Sequence, residues 1–173
     1  MNWTITELNR KAAEEILTWK YEPPYDFYEN EMSEEAVAEL SGGAYRLVLD
    51  ESGQMYGFFC TGSSAQVPIG HEFGVYPDDH VDFGLGMNPA FTGRGTGATF
   101  TAFILNEIRR GTSLPIRLSV ATFNKRAIAV YEKLGFRKVD DFRTRSAEFV
   151  TMVENRGEHD DSARSSIIPL QHL

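Results

Sequence analysis

The run Val81-Asp82-Phe83-Gly84-Leu85-Gly86-Met87-Asn88-Pro89-Ala90-Phe91-Thr92-Gly93-Arg94-Gly95-Thr96-Gly97 decides how this chain is read. Residues 81–87 are apolar at alternate positions, the period of a β-strand. Phe91–Gly97 is a glycine-rich loop, and it opens onto Ala98–Arg110, where Phe100, Phe103, Ile104 and Ile108 share one helical face. Unbonded N–H groups at a helix N-terminus converge with the positive end of the helix dipole, and such a turn binds phosphate. Glycine suits it because a Cβ would block a diphosphate from the backbone and because φ > 0 is open to it. Arg94 can add a charge-assisted contact. The alternative is that the glycines only make a tight turn.

The neighbours decide which phosphate ligand fits. A Walker loop requires Gly-Lys-Ser/Thr at its end, whereas Gly97 is followed by Ala98 and Thr99, which speaks against nucleotide hydrolysis. Gly93–Ala98 does match G-x-G-x-x-A, but a dinucleotide site expects its first glycine at the strand end and an acid about 20 residues on. Asn88–Thr92 intervenes, and the next strand ends Ala121-Thr122-Phe123-Asn124 without a carboxylate.

Working outward, a short strand around Trp3 and Ile5 precedes a helix carrying Ala12, Ala13, Ile16 and Leu17. Tyr21-Glu22-Pro23-Pro24-Tyr25-Asp26-Phe27-Tyr28 reads as a loop with exposed aromatic faces. Ser33 caps a second helix that Gly42-Gly43 ends. Tyr45–Asp50, Met55–Thr61 and Glu72–Tyr76 are expected strands, with loop over Gly62–Gly70. Beyond the central helix, Pro115–Ala121 is a strand and Asn124 caps a helix over Lys125–Leu134. Phe136–Phe142 and Glu148–Glu154 are two last strands. The fold class is α/β: one domain over Met1–Glu154 with a mixed central sheet flanked by helices, followed by a polar tail over 155–173.

Composition bounds the function. The chain has 173 residues, 17 Lys and Arg against 25 Asp and Glu, and a net charge of −8, so overall charge argues against a nucleic-acid partner. No apolar run approaches the roughly 20 residues of a membrane span. The lone Cys60 allows no intramolecular disulfide, Met1–Arg10 lacks a signal-peptide profile, and the expected location is the cytoplasm. His71, His80, His159 and His172 show no zinc-ligand spacing, so no metal is expected. Cys60, in Phe58-Phe59-Cys60, reads as a packed thiol.

Gly84-Leu85-Gly86-Met87-Asn88-Pro89, then Gly93-Arg94-Gly95-Thr96-Gly97, then Asn124, Ala127, Tyr131-Glu132-Lys133 and Leu134-Gly135-Phe136 resemble the two central motifs of the GNAT N-acetyltransferase superfamily. The resemblance covers Val81–Val139 and implies a GNAT-like fold with acetyl-coenzyme A as cosubstrate. It implies that the amides of Gly93, Arg94, Gly95, Thr96 and Gly97 hold the coenzyme's pyrophosphate, that Met87 lies beside the pantetheine and acetyl group, and that Asn124 contacts the pantetheine arm. It makes Tyr131 the general acid; a core tyrosine is the alternative. Homodimers are frequent among such relatives. Thr92 departs from the Gln or Arg the family often has there, so that phosphate contact is either weaker or supplied by Arg94.

Direct acetyl transfer to a primary amine needs a base for the ammonium, donors for the oxyanion and a proton for the leaving thiolate. Backbone N–H groups around Met87 suit the oxyanion. Among Asp82, Glu72 and His71, strand parity puts Asp82 on the face opposite Phe83, Leu85 and Met87, so Glu72 is preferred as base; an exposed strand carboxylate is its bland alternative. Tyr25 and Tyr28, beside Glu22 and Asp26, could cage a cationic amine, or pack the first helix on the sheet. The acceptor is a small-molecule amine or a protein N-terminus or lysine. A non-catalytic acyl-coenzyme A sensor with the same fold is the rival reading.

Overall fold

The computed structural model describes residues 2–155. The tail expected over 155–173 lies, from residue 156 on, outside the described residues.

Seven strands, β1 (Thr4–Glu7), β2 (Tyr45–Leu49), β3 (Met55–Thr61), β4 (Val81–Met87), β5 (Ile116–Ala121), β6 (Phe136–Arg143) and β7 (Glu148–Glu154), are hydrogen-bonded in the order β1-β2-β3-β4-β5-β7-β6. The sheet is mixed: β4 and β5 run parallel, while β1–β2, β2–β3, β5–β7 and β6–β7 are antiparallel. The helices are α1 (Arg10–Ile16), α2 (Glu34–Ser41), α3 (Gly97–Arg109) and α4 (Lys125–Lys133). Side chains start three of them as the sequence suggests, with Asn9 accepting from Ala12 N, Ser33 from Ala36 N and Asn124 from Ala127 N.

The chain forms two compact units that share β4. The first comprises the residues up to Ser64 with Gly84–Thr96, and the second Ala65–Phe83 with the chain from Gly97 on. In the first, Leu8, Ala12, Ala13, Ile16, Leu17, Val37, Leu40 and Leu47 make a core beneath α1 and α2. In the second, Phe83, Phe100, Ile104, Leu105, Ile116 and Met152 are almost wholly buried. The stripes read on α1 and α3 are thus largely buried, which is the main favourable term in folding.

One element differs from expectation. Glu72–Tyr76, read as a strand, is not one: Pro68–Phe73 is a 3₁₀ helix, and Val75 and Tyr76 follow it as buried chain outside any strand. Pro68 at its first turn and Gly74 at φ 68°, accepting no Cβ penalty as C-cap, define its ends. The β-rich letters of Phe73, Val75 and Tyr76 concealed these signals. Tyr25–Tyr28, read as loop, likewise winds into a short 3₁₀ turn.

Candidate active site

The end of β4 and the glycine turn are held together by β3. Asn88, directly after β4, is buried and uses all its polar groups: its N–H donates to the Tyr56 carbonyl (2.9 Å), its Nδ2 to the Met55 carbonyl (2.8 Å), and its Oδ1 accepts from Ala90 N (2.9 Å). Thr92 closes the next turn by donating from Oγ1 to the Pro89 carbonyl at 3.0 Å. Gly93 and Gly95 then take left-handed φ values of 72° and 78°, and α3 starts at Gly97. Tyr56 fixes the far side of this turn, because its hydroxyl donates to Thr96 Oγ1 (2.8 Å) and its ring stacks on Phe91 with centroids 4.4 Å apart. The Arg94 guanidinium lies 5.8 Å from the Phe91 ring centroid. A Cβ built on Gly95 meets no heavy atom within 4 Å, so the turn opens onto free space. Left-handed Gly93 and Gly95, open space before Gly95 and the exposed Arg94, directly ahead of α3, have the chemistry that fits a diphosphate.

At Met87 the backbone carbonyl accepts a 2.8 Å hydrogen bond from the Tyr21 hydroxyl. Burial, with a smaller contribution from the nearby Glu29 charge, pushes the Tyr21 phenol up to about 12, so it remains a donor at every ordinary pH. The Phe58 ring lies against Gly86, where a Cβ would come within 2.4 Å of two of its carbons. Tyr28 is 39% exposed and meets Phe27 edge-on at 5.3 Å, and Tyr25 is half-buried. Met87, Gly93–Thr96, Tyr25 and Tyr28 all belong to the first unit.

Gly97, Asn124, Tyr131 and Glu72 belong to the second. Asn124 is fixed at the head of α4 by its bond to Ala127 N at 3.1 Å. Tyr131 is buried, edge-on to Phe83 and tilted to Phe136, each with centroids 6.2 Å away. Glu72 is exposed on the 3₁₀ helix instead of on a strand, a correction to its expected setting. The other two carboxylate and histidine candidates have structural partners. Asp82 forms a doubly bonded ion pair with Arg117, 2.7 Å from each of Nε and Nη2, and His71 Nε2 lies 2.9 Å from Gln66 Oε1. Cys60 is buried, and burial raises its thiol to about 11, as befits a packed residue.

Residues missed by sequence reading are Tyr56 and Asn88 as props of the glycine turn and the Tyr21 hydroxyl as partner of Met87. The sequence names these residues, but the pairs lie 40 and 66 positions apart for Tyr56–Thr96 and Tyr21–Met87, and no local pattern reports such contacts.

Residues 82–145 match the family described as FR47-like protein. Solved structures with the same architecture include a GNAT-family acetyltransferase from Bacillus anthracis, at 15% identity with 88% of this chain and 94% of that one covered and a TM-score of 0.66. The ribosomal-protein-S18-alanine N-acetyltransferase of Escherichia coli aligns at 22% identity over 88% and 93% of the two chains, TM-score 0.61. An uncharacterised protein of Bacillus halodurans aligns at 12% identity over 97% and 91%, TM-score 0.71. The chain has the GNAT fold. No curated protein matches it in sequence. The FR47-like segment overlaps Val81–Val139, the stretch that resembles the GNAT motifs, and carries nearly all of β4, the glycine turn, α3 and α4.

Proposed function

We propose that this GNAT-fold protein is an N-acetyltransferase that moves an acetyl group from acetyl-coenzyme A directly to a primary amine. The observation that carries the reading is the Gly93–Gly97 turn, with Gly93 and Gly95 left-handed and Gly95 facing open space, immediately before α3. Backbone N–H groups of Gly93, Arg94, Gly95, Thr96 and Gly97 hold the pyrophosphate, Arg94 adds its charge, and Asn124 and the Met87 backbone take the pantetheine arm. The coenzyme supplies an activated acyl carbon. Glu72 takes the proton of the incoming ammonium, directly or through water, and a Met87 N–H steadies the oxyanion. The new N–C bond forms as the C–S bond breaks, and Tyr131 gives its proton to the thiolate. Tyr25 and Tyr28 contact the acceptor. Acetyl-coenzyme A at 100 times its Kd should raise the unfolding free energy by about 2.7 kcal/mol. Gly95→Val should abolish the shift, since it strains φ and fills the cradle, whereas Tyr131→Phe should keep it and lower amine-dependent thiol release by about 10²–10⁴-fold. No shift at millimolar coenzyme would overturn the reading.

A further inference from the structure

Within the first unit, between the end of α1, the Tyr25–Tyr28 turn, β2 and β3, lies a pocket of about 100 Å³. Its walls include Trp19, Tyr21, Tyr28, Tyr45 and Phe58, and its acidic side chain is Glu29. Trp19, Tyr45 and Phe58 are partly buried against the α1–α2 core, which fixes their rings. The Glu29 carboxylate is oriented by the Tyr21 N–H at 2.9 Å. Lys20 Nζ stands 3.3 Å away on the other oxygen, but that lysine is 75% exposed, so the pair is weak and readily exchanged for another cation.

Two links tie this pocket to the end of β4. The Phe58 ring rests on Gly86, and Tyr21 bridges the two places directly: its backbone N–H holds Glu29 and its hydroxyl holds the Met87 carbonyl. The carboxylate and Met87 are therefore joined through the length of one tyrosine with a hydrogen bond at each end. A cavity of about 150 Å³ holds a benzene ring, so a pocket of about 100 Å³ suits a narrower, unbranched aliphatic chain. Ring faces and a carboxylate together select a cation on an aliphatic stem.

We propose that the acceptor is a short unbranched aliphatic diamine, with one ammonium on Glu29 in place of Lys20, its stem between Phe58, Trp19 and Tyr28, and its other nitrogen presented at Met87. This rests on the transferase reading above. That second nitrogen loses its proton to the base, bonds to the acyl carbon, and the thiol leaves with the proton from Tyr131.

The probe is 1,4-diaminobutane, titrated without coenzyme while the Trp19 indole N–H is followed by NMR, assigned through Trp19→Phe. The diamine should shift that signal and bind about tenfold more tightly than n-butylamine, which lacks the second charge. Glu29→Gln should weaken both amines about tenfold, because each places an ammonium on that carboxylate, and Tyr28→Ala, at an exposed position, should weaken both through the lost ring face. An unmoved Trp19 signal at tens of millimolar diamine, or unchanged diamine affinity in Glu29→Gln, overturns the proposal. Stabilisation by acetyl-coenzyme A with no diamine binding would sink this inference alone. Diamine binding with no coenzyme shift would keep the pocket and remove the transferase reading.

Discussion

β4 has two unlike halves. At its start, Val81 and Asp82 pair with Ile116 and Arg117 of β5, and the facing Asp82 and Arg117 form a buried ion pair. Every charge there is consumed: Gln66 Nε2 also donates to Asp82 (2.9 Å), Arg117 donates to the Pro77 carbonyl (3.0 Å), and its guanidinium lies 5.2 Å from the Tyr76 ring centroid. At its end, Gly84-Leu85-Gly86-Met87 is only half-buried, holds no charge, and has its last carbonyl bonded by a tyrosine side chain. Charge is placed where partners surround it. Glycines and neutral donors stand where the proposed coenzyme would approach the backbone.

The sharpest break of that contrast is Asp82→Ala, which leaves Arg117 buried without its counter-ion. Removing one partner of a buried pair costs about 3–5 kcal/mol, and urea unfolding should show it. Below the new transition, acetyl-coenzyme A binding at the glycine turn should persist. Replacing both residues by apolar ones of similar volume should cost much less, because no orphaned charge remains.

Gly86→Ala attacks the other half. The added methyl would lie 2.4 Å from the Phe58 ring, which must move, and overpacking of this kind costs about 1–3 kcal/mol. Diamine binding should fall further than stability, since the displaced ring is a wall of the proposed subsite. Equal stability with unchanged amine affinity would show that Phe58 does not shape that pocket.

The same contrast explains what the sequence could reveal. The ends of α2 and α4, the strand β7 and the glycine turn followed from capping residues, spacing and glycine, all of which act over a few positions. The Pro68–Phe73 helix escaped because six residues with one proline and β-prone letters fit either period. Asp82–Arg117 escaped because a parallel register joins residues 35 positions apart, and parity alone says which face Asp82 takes, not what awaits it there. For the same reason Tyr25 and Tyr28 were legible as aromatic neighbours of acids, but Tyr21, whose hydroxyl reaches β4, was not separable from them.

The smallest expected effect distinguishes the two halves most finely. Tyr21→Phe removes only the hydroxyl that holds the Met87 carbonyl, a loss of about 0.5–1.5 kcal/mol. Burial lifts the Tyr21 phenol from its ordinary 10 to about 12, so between those values the folded protein retains a proton that the unfolded chain releases. Stability of the wild type should therefore fall as pH rises from 10 to 12, and Tyr21→Phe should fall less steeply over that window. Cys60, raised from 9 to about 11, adds a similar decline that both proteins share, so the difference between their curves isolates the tyrosine. Below pH 10 the hydroxyl stays protonated, so the substitution should lower kcat without altering the shape of the pH–rate profile. A changed profile there would mean that Tyr21 exchanges a proton during turnover instead of positioning the β4 backbone.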